Sequence, residues 1–127
     1  MTMKTTILLV ALLFVGVVAN AAEPKASDCP DVQELFRIAS ARYPHLVLDE
    51  KLCKDSQKWA DHLASTGRFH HDKGVRENIA RGYKTCESAM KAWFNSSGHN
   101  RQFKRNKRVG FGVRAGGTMR YWVARFR

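Results

Sequence analysis
Acidic side chains are scarce in this chain, with 11 aspartates and glutamates against 22 lysines and arginines and a formal net charge of +11 at pH 7. A surface this basic attracts phosphate, anionic lipid head groups or acidic glycans through salt-sensitive electrostatics, or else serves only as a solubilising face. The surplus crowds the C-terminal third, in the run Arg101 to Arg108 and then Arg114, Arg120, Arg125 and Arg127. Aromatic residues are missing from the basic run apart from Phe103, so no specific nucleic-acid code is visible. Cysteine is also rare, with three residues, Cys29, Cys53 and Cys86, and no CxxC spacing. That excludes a thiolate zinc site and a thioredoxin-like motif. There are no internal repeats and no low-complexity segments.

No apolar run reaches the length of a membrane span. The longest, Ile7 to Ala19, has about 13 residues against the roughly 20 a bilayer requires. With Lys4 before it and Ala19-Asn20-Ala21 after it, the run reads as a cleaved export signal over residues 1–21 rather than an anchor. The mature chain is then expected to be secreted, or periplasmic in a bacterium, and to experience oxidising conditions. Three cysteines in that setting predict one disulfide and one free thiol, with the pairing left open. Residues 22–31 read as a loose lead-in, and residues 32–127 suffice for one compact domain, expected to be a monomer.

Within that domain, Pro30 suits a first helical position, and Val32, Leu35, Phe36, Ala39 and Tyr43 recur at helical spacing until Tyr43-Pro44 stops the pattern. Asp49 caps a second helix with Leu52, Ser56, Trp59, Ala60, Leu63 and Ala64 on one face, ended by Gly67. Glu77 to Arg81 reads as a short strand. Thr85 caps a third helix with Ala89, Met90, Trp93 and Phe94 buried; Gly98 is expected to break it, and His99 to Phe103 to add one more turn. Val109, Phe111 and Val113 alternate with Gly110 and Gly112, Gly116-Gly117 marks a tight turn, and Met119 to Phe126 is apolar on both faces. A strand apolar on both sides must be covered twice, which predicts a small sheet between helical layers.

Potential ligands and acid–base groups gather between Phe69 and Phe103, which holds His70, His71, Glu77 and His99. In this stretch the chain resembles the CAP superfamily, also called SCP or TAPS domains. Gly67-Arg68-Phe69-His70-His71, Glu77-Asn78-Ile79-Ala80, Trp93-Phe94-Asn95-Ser96-Ser97-Gly98-His99, Val109-Gly110-Phe111-Gly112 and Tyr121-Trp122 resemble its successive boxes, in the right order. The resemblance implies an α/β (α+β) fold, a three-layer α-β-α sandwich with a small, mainly antiparallel sheet and a C-terminal hairpin. It also implies export and a cleft built on two histidines and two acids. Carried over, these are His71, Glu77 and His99, with Ser96 where the second acid is expected and Arg76 where the box usually has glycine. Binding roles are assigned in the family more often than any agreed reaction.

Three readings of the cleft remain open. His71 and His99, with Glu77, have the donor set of a zinc or other divalent-cation site, which the loss of the acid at Ser96 weakens unless Asp72 substitutes. The same residues can instead form a hydrogen-bonded network that pins the loops, or support a zinc-dependent hydrolase with Glu77 as general base. The expected partner of a non-catalytic cleft is an extracellular lipid, peptide or glycan. His45, His62 and His70 read as surface residues. Ser96 and Ser97 are not expected to meet His99 as a nucleophile, being too close along the chain. Asn95-Ser96-Ser97 matches a glycosylation acceptor, with Asn95 read as satisfying backbone groups at the helix end.

Overall fold
The computed structural model describes residues 23–127 and scattered positions before residue 17; the export signal expected over 1–21 otherwise lies outside the described residues. Within the stretch expected as a lead-in, a 3-10 turn at Ala26–Asp28 is held by the Glu50 carboxylate, which accepts from Ala26 N–H at 2.7 Å and Ser27 N–H at 2.8 Å. Helix α1 spans Pro30–Arg42 and buries Val32, Leu35 and Ala39. A two-residue strand, β1 (Val47–Leu48), follows. Helix α2 (Glu50–Thr66) starts where the Asp49 side chain accepts from Leu52 N–H at 2.9 Å and ends at Gly67. Its buried line is Cys53, Ser56, Ala60 and Leu63. The remaining elements are β2 (Arg76–Arg81), α3 (Cys86–Asn95), α4 (Ser97–Arg105), β3 (Arg108–Gly116) and β4 (Met119–Phe126).

The strands form one sheet in the order β1-β3-β4-β2, parallel between β1 and β3 and antiparallel elsewhere. Alternation divides β4 between two layers. Tyr121 and Val123 pack with Ile79 of β2 against Ala60 and Leu63 of α2. Trp122, Ala124 and Phe126 turn the other way, into a larger core with Leu35, Met90, Trp93 and Phe103 from the other three helices. Those are the layers of the expected α-β-α sandwich. The hairpin turns at Gly117 (φ 59°), which supplies the positive φ that a two-residue β turn requires.

Two local expectations change. Gly98 does not break a helix: α3 ends at Asn95, extended Ser96 forms the joint, and α4 runs nine residues with Gly98 in its first turn. Asn95 is exposed, and the last turn of α3 is closed by Ser96 N–H donating to Trp93 O at 3.3 Å. The expected disulfide is also absent among the described residues, where Cys29, Cys53 and Cys86 are all free. Cys53 is buried on the face of α2 that packs on β3, whereas Cys86 opens α3 with its Sγ 3.7 Å from Asp31 O. Burial pushes both thiols up to about 11, Asp31 adding to the effect at Cys86, so neither ionises at neutral pH.

Helix α2 lies unusually close to β3. Ser56 Oγ donates to Gly110 O at 2.9 Å. The Gln57 amide bonds both backbone groups of Val113, donating to its carbonyl at 2.8 Å and accepting from its N–H at 3.2 Å.

Candidate functional site
The site is built on the edge strand β2 and on the loop that enters it from α2. That loop returns His71 and Asp72 over Glu77. Glu77 Oε1 accepts from Asp72 N–H at 2.7 Å and lies 3.1 Å from His71 Nδ1. A carboxylate accepts only, so it is His71 Nδ1 that carries the proton of this bond. The His71 side chain is 58% exposed, whereas that of Glu77 is 1% exposed. The other carboxylate oxygen, Oε2, lies 3.3 Å from Arg125 Nε, an ion pair without the alignment of a hydrogen bond. Arg125 Nη2 donates to Asp72 Oδ2 at 2.8 Å, and the guanidinium carbon sits 5.8 Å from the centre of the Trp59 ring. Glu77 is therefore neutralised and held from both sides.

The second histidine reaches β2 from α4. Asn78 Nδ2 donates to His99 O at 2.9 Å, so His71 and His99 are tied to adjacent residues of the same strand. His99 Nδ1 lies 2.9 Å from Ser96 Oγ across the joint between α3 and α4, a contact between near neighbours along the chain that does not make a catalytic triad. No carboxylate among the described residues bonds His99. Burial, and secondarily the charge of His71, lower the His99 pKa from its ordinary value of 6.5.

The sign of that shift sets a pH dependence. A histidine that holds its proton less tightly when folded contributes stability that is present above the unfolded pKa and is lost as pH falls through the folded one. The unfolding midpoint in urea is expected to fall more between pH 7 and pH 5 for the natural chain than for His99→Gln, and the His99 ring to titrate below 6.5 by NMR. Equal acid sensitivity of both proteins would contradict this assignment.

The residues do not assemble a three-ligand metal centre. No three of the described His, Cys, Asp and Glu side chains converge in a way that could hold an ion. The chemistry of the donors explains why: Glu77 is occupied by Arg125, His71 and the Asp72 backbone, and Asp72 points to Arg125 rather than replacing the acid missing at Ser96. Among the other histidines, His45 bonds the Phe103 and Asn106 carbonyls, while His62 and His70 pack on Trp59 with ring centres 4.7 and 5.1 Å away. All three are exposed.

Beside His99 opens a cleft of about 310 Å³. Ile79, Ala80, Ala92 and Trp93 form its apolar floor, and Ser96 and His99 its polar end. Phe69 and Tyr83 stand at the rim, each 38% exposed, and the Arg81 guanidinium lies 4.8 Å from the Phe69 ring centre. His71 and Glu77 do not line this space. A larger cavity of about 520 Å³ between Lys58, Asp61, His62 and Arg114 lies away from these residues.

Sequence reading missed Arg125, which counted only as one of many basic residues. Strand parity was the available signal: Arg125 shares a face with Tyr121 and Val123, and register sets it opposite Glu77.

The chain matches the family described as "CAP: Cysteine-rich secretory protein family" over residues 31–126. No curated protein matches its sequence. Among solved structures it is similar to an outer surface protein from Borrelia burgdorferi, with a TM-score of 0.64 and 20% identity over 76% of this chain and 90% of that one. It is also similar to an extracellular protein containing a SCP domain from Bacillus anthracis str. Ames, with a TM-score of 0.58 and 17% identity over 76% of this chain and 40% of that one. At such identities the solved structures speak for the fold, whereas the sequence match spans nearly the whole described domain, and on that ground the chain belongs to the CAP family.

Proposed function
We propose that this protein is an exported binding module whose cleft beside His99 takes a small amphipathic molecule with an anionic group. The carrying observation is the division of that cleft into an apolar floor, a polar end at Ser96 and His99, and a cation at Arg81. Ligand pockets commonly combine apolar walls with a few directed polar groups. An acyl chain or other flat apolar body fits the floor, and an acidic head group fits Arg81. The ion pair that occupies Glu77 favours binding over catalysis. Export rests on the N-terminal signal pattern, and the two structural neighbours, an outer surface protein and an extracellular protein, agree with it.

Calorimetric titration of residues 22–127 with a medium-chain fatty acid tests the reading. Saturable binding is expected, weakened about tenfold in Arg81→Ala by loss of one charged hydrogen bond. Ala92→Trp, which fills the floor, should abolish it. Absence of binding to the natural chain, or binding indifferent to Ala92→Trp, would refute the proposal.

A further inference from the structure
A second cleft, of about 490 Å³, opens on the outer face of α4. Gly98, Arg101, Gln102 and Arg105 recur along that helix at the spacing of one face, and Arg76 enters from the first residue of β2. No acidic residue among those described lines the space. Elsewhere six of the 11 carboxylates pair with other arginines: Glu34 with Arg37, Asp49 with Arg108 and Arg127, Asp61 with Arg114, Asp31 with Arg120, and Asp72 and Glu77 with Arg125. Arg76, Arg101 and Arg105 make no salt bridge among the described residues, although they converge on one concavity. Two of them lie four residues apart on one helix, an arrangement that repels unless an anion sits between them.

The cleft is also organised from below. Asn106, 6% exposed, accepts from Arg76 Nη1 at 3.1 Å through Oδ1. Its Nδ2 donates to Gln102 O at 2.9 Å and to Gln102 Oε1 at 3.0 Å. One buried amide thus fixes a guanidinium and orients the Gln102 side chain with Nε2 left as a donor. What faces the space is three guanidinium forks and an amide N–H, all donors.

We propose that this cleft binds a phosphate or sulfate ester carried on a hydroxyl-rich molecule such as a sugar. A tetrahedral oxyanion accepts several hydrogen bonds at once, and planar guanidinium groups match its edges in pairs. The volume exceeds what a bare oxyanion fills, and the polar lining suits hydroxyl groups. Such an ester can be a small sugar phosphate or a unit of a sulfated glycan. The site is separate from the cleft beside His99 and does not depend on what that cleft binds.

The test is calorimetric titration of residues 22–127, at fixed ionic strength, with glucose 6-phosphate and with a sulfated heparin disaccharide. Saturable binding of at least one is expected, and the stronger identifies the source of the ester. Arg101→Gln with Arg105→Gln should weaken it by about tenfold per guanidinium removed. Exchanging Arg76, Arg101 and Arg105 together for lysine preserves the net charge and should also weaken binding, because the forks are lost. Lys58→Gln with Arg114→Gln removes the same charge at the other cavity and should leave affinity unchanged, and circular dichroism confirms that each variant is folded. The proposal is overturned if neither ester binds, if the lysine variant binds as well as the natural chain, if the distant pair weakens binding equally, or if only vesicles of anionic phospholipid are bound.

Discussion

Exchange of Arg125 for methionine is expected to lower the free energy of unfolding by about 3–5 kcal/mol, the usual cost of leaving one partner of a buried ion pair alone. The Glu77 side chain is 1% exposed and that of Arg125 is 11% exposed, so solvent cannot replace the lost partner. The same exchange frees Asp72, whose carboxylate takes a 2.8 Å bond from Arg125 and whose N–H is bonded to Glu77. The loop carrying His71 should loosen as a result. Removing both charges, by Arg125→Met with Glu77→Met, should recover much of the loss, since well-packed apolar substitutes for buried ion pairs are often neutral. Urea unfolding measures both effects. A single-variant loss under about 1 kcal/mol, the range of exposed pairs, would mean that Glu77 reaches water.

Alanine at Gly110 or Gly112 is expected to cost about 3 kcal/mol, the upper part of the range for overpacking a well-filled interior. A methyl group at Gly110 would meet the backbone of Leu52 and Cys53, and one at Gly112 that of Ser56 and Gln57. These are main-chain atoms of α2, which cannot rotate aside. At Gly116 the nearest atom is Ala64 O at 2.8 Å, near the end of the helix, and the strand there is ending. Gly116→Ala should therefore be milder. Thermal unfolding gives the ranking, with a shift of about 4–8 °C per kcal/mol for a domain of this size. Equal melting temperatures for Gly112→Ala and the natural chain would show that α2 is free to move off the sheet.

The elements legible in the sequence were those whose signals are local. Asp49 and Thr85 are side-chain caps, Pro30 has its backbone angle set in advance, and the two closing strands are apolar runs joined by a Gly-Gly turn; all stand where the sequence predicts. Strand β1 carries no such signal, because two residues cannot show a period and its pairing partner lies some sixty positions away. Helix α4 signals no more than a single turn, because Phe103 is its one buried residue and the rest, from Ser97 to Arg105, is polar or glycine. At the site, the types and order of His71, Glu77, Ser96 and His99 were readable, but their partners were not. That Glu77 faces Arg125 follows from strand register, which no short motif encodes. The cluster of Arg76, Arg101 and Arg105 joins the start of one strand to a helix face, so it forms only once the chain is folded.

The Gln57 amide has a role beyond joining helix to strand. Strand β1 accompanies β3 only at Arg108 and Val109, leaving the rest of that margin without a neighbouring strand among the described residues. An open margin of main-chain donors and acceptors is a template on which a second polypeptide can add itself as a further strand, the first step towards fibrous aggregates. By occupying both polar groups of Val113, one glutamine side chain imitates the missing strand and interrupts that template midway.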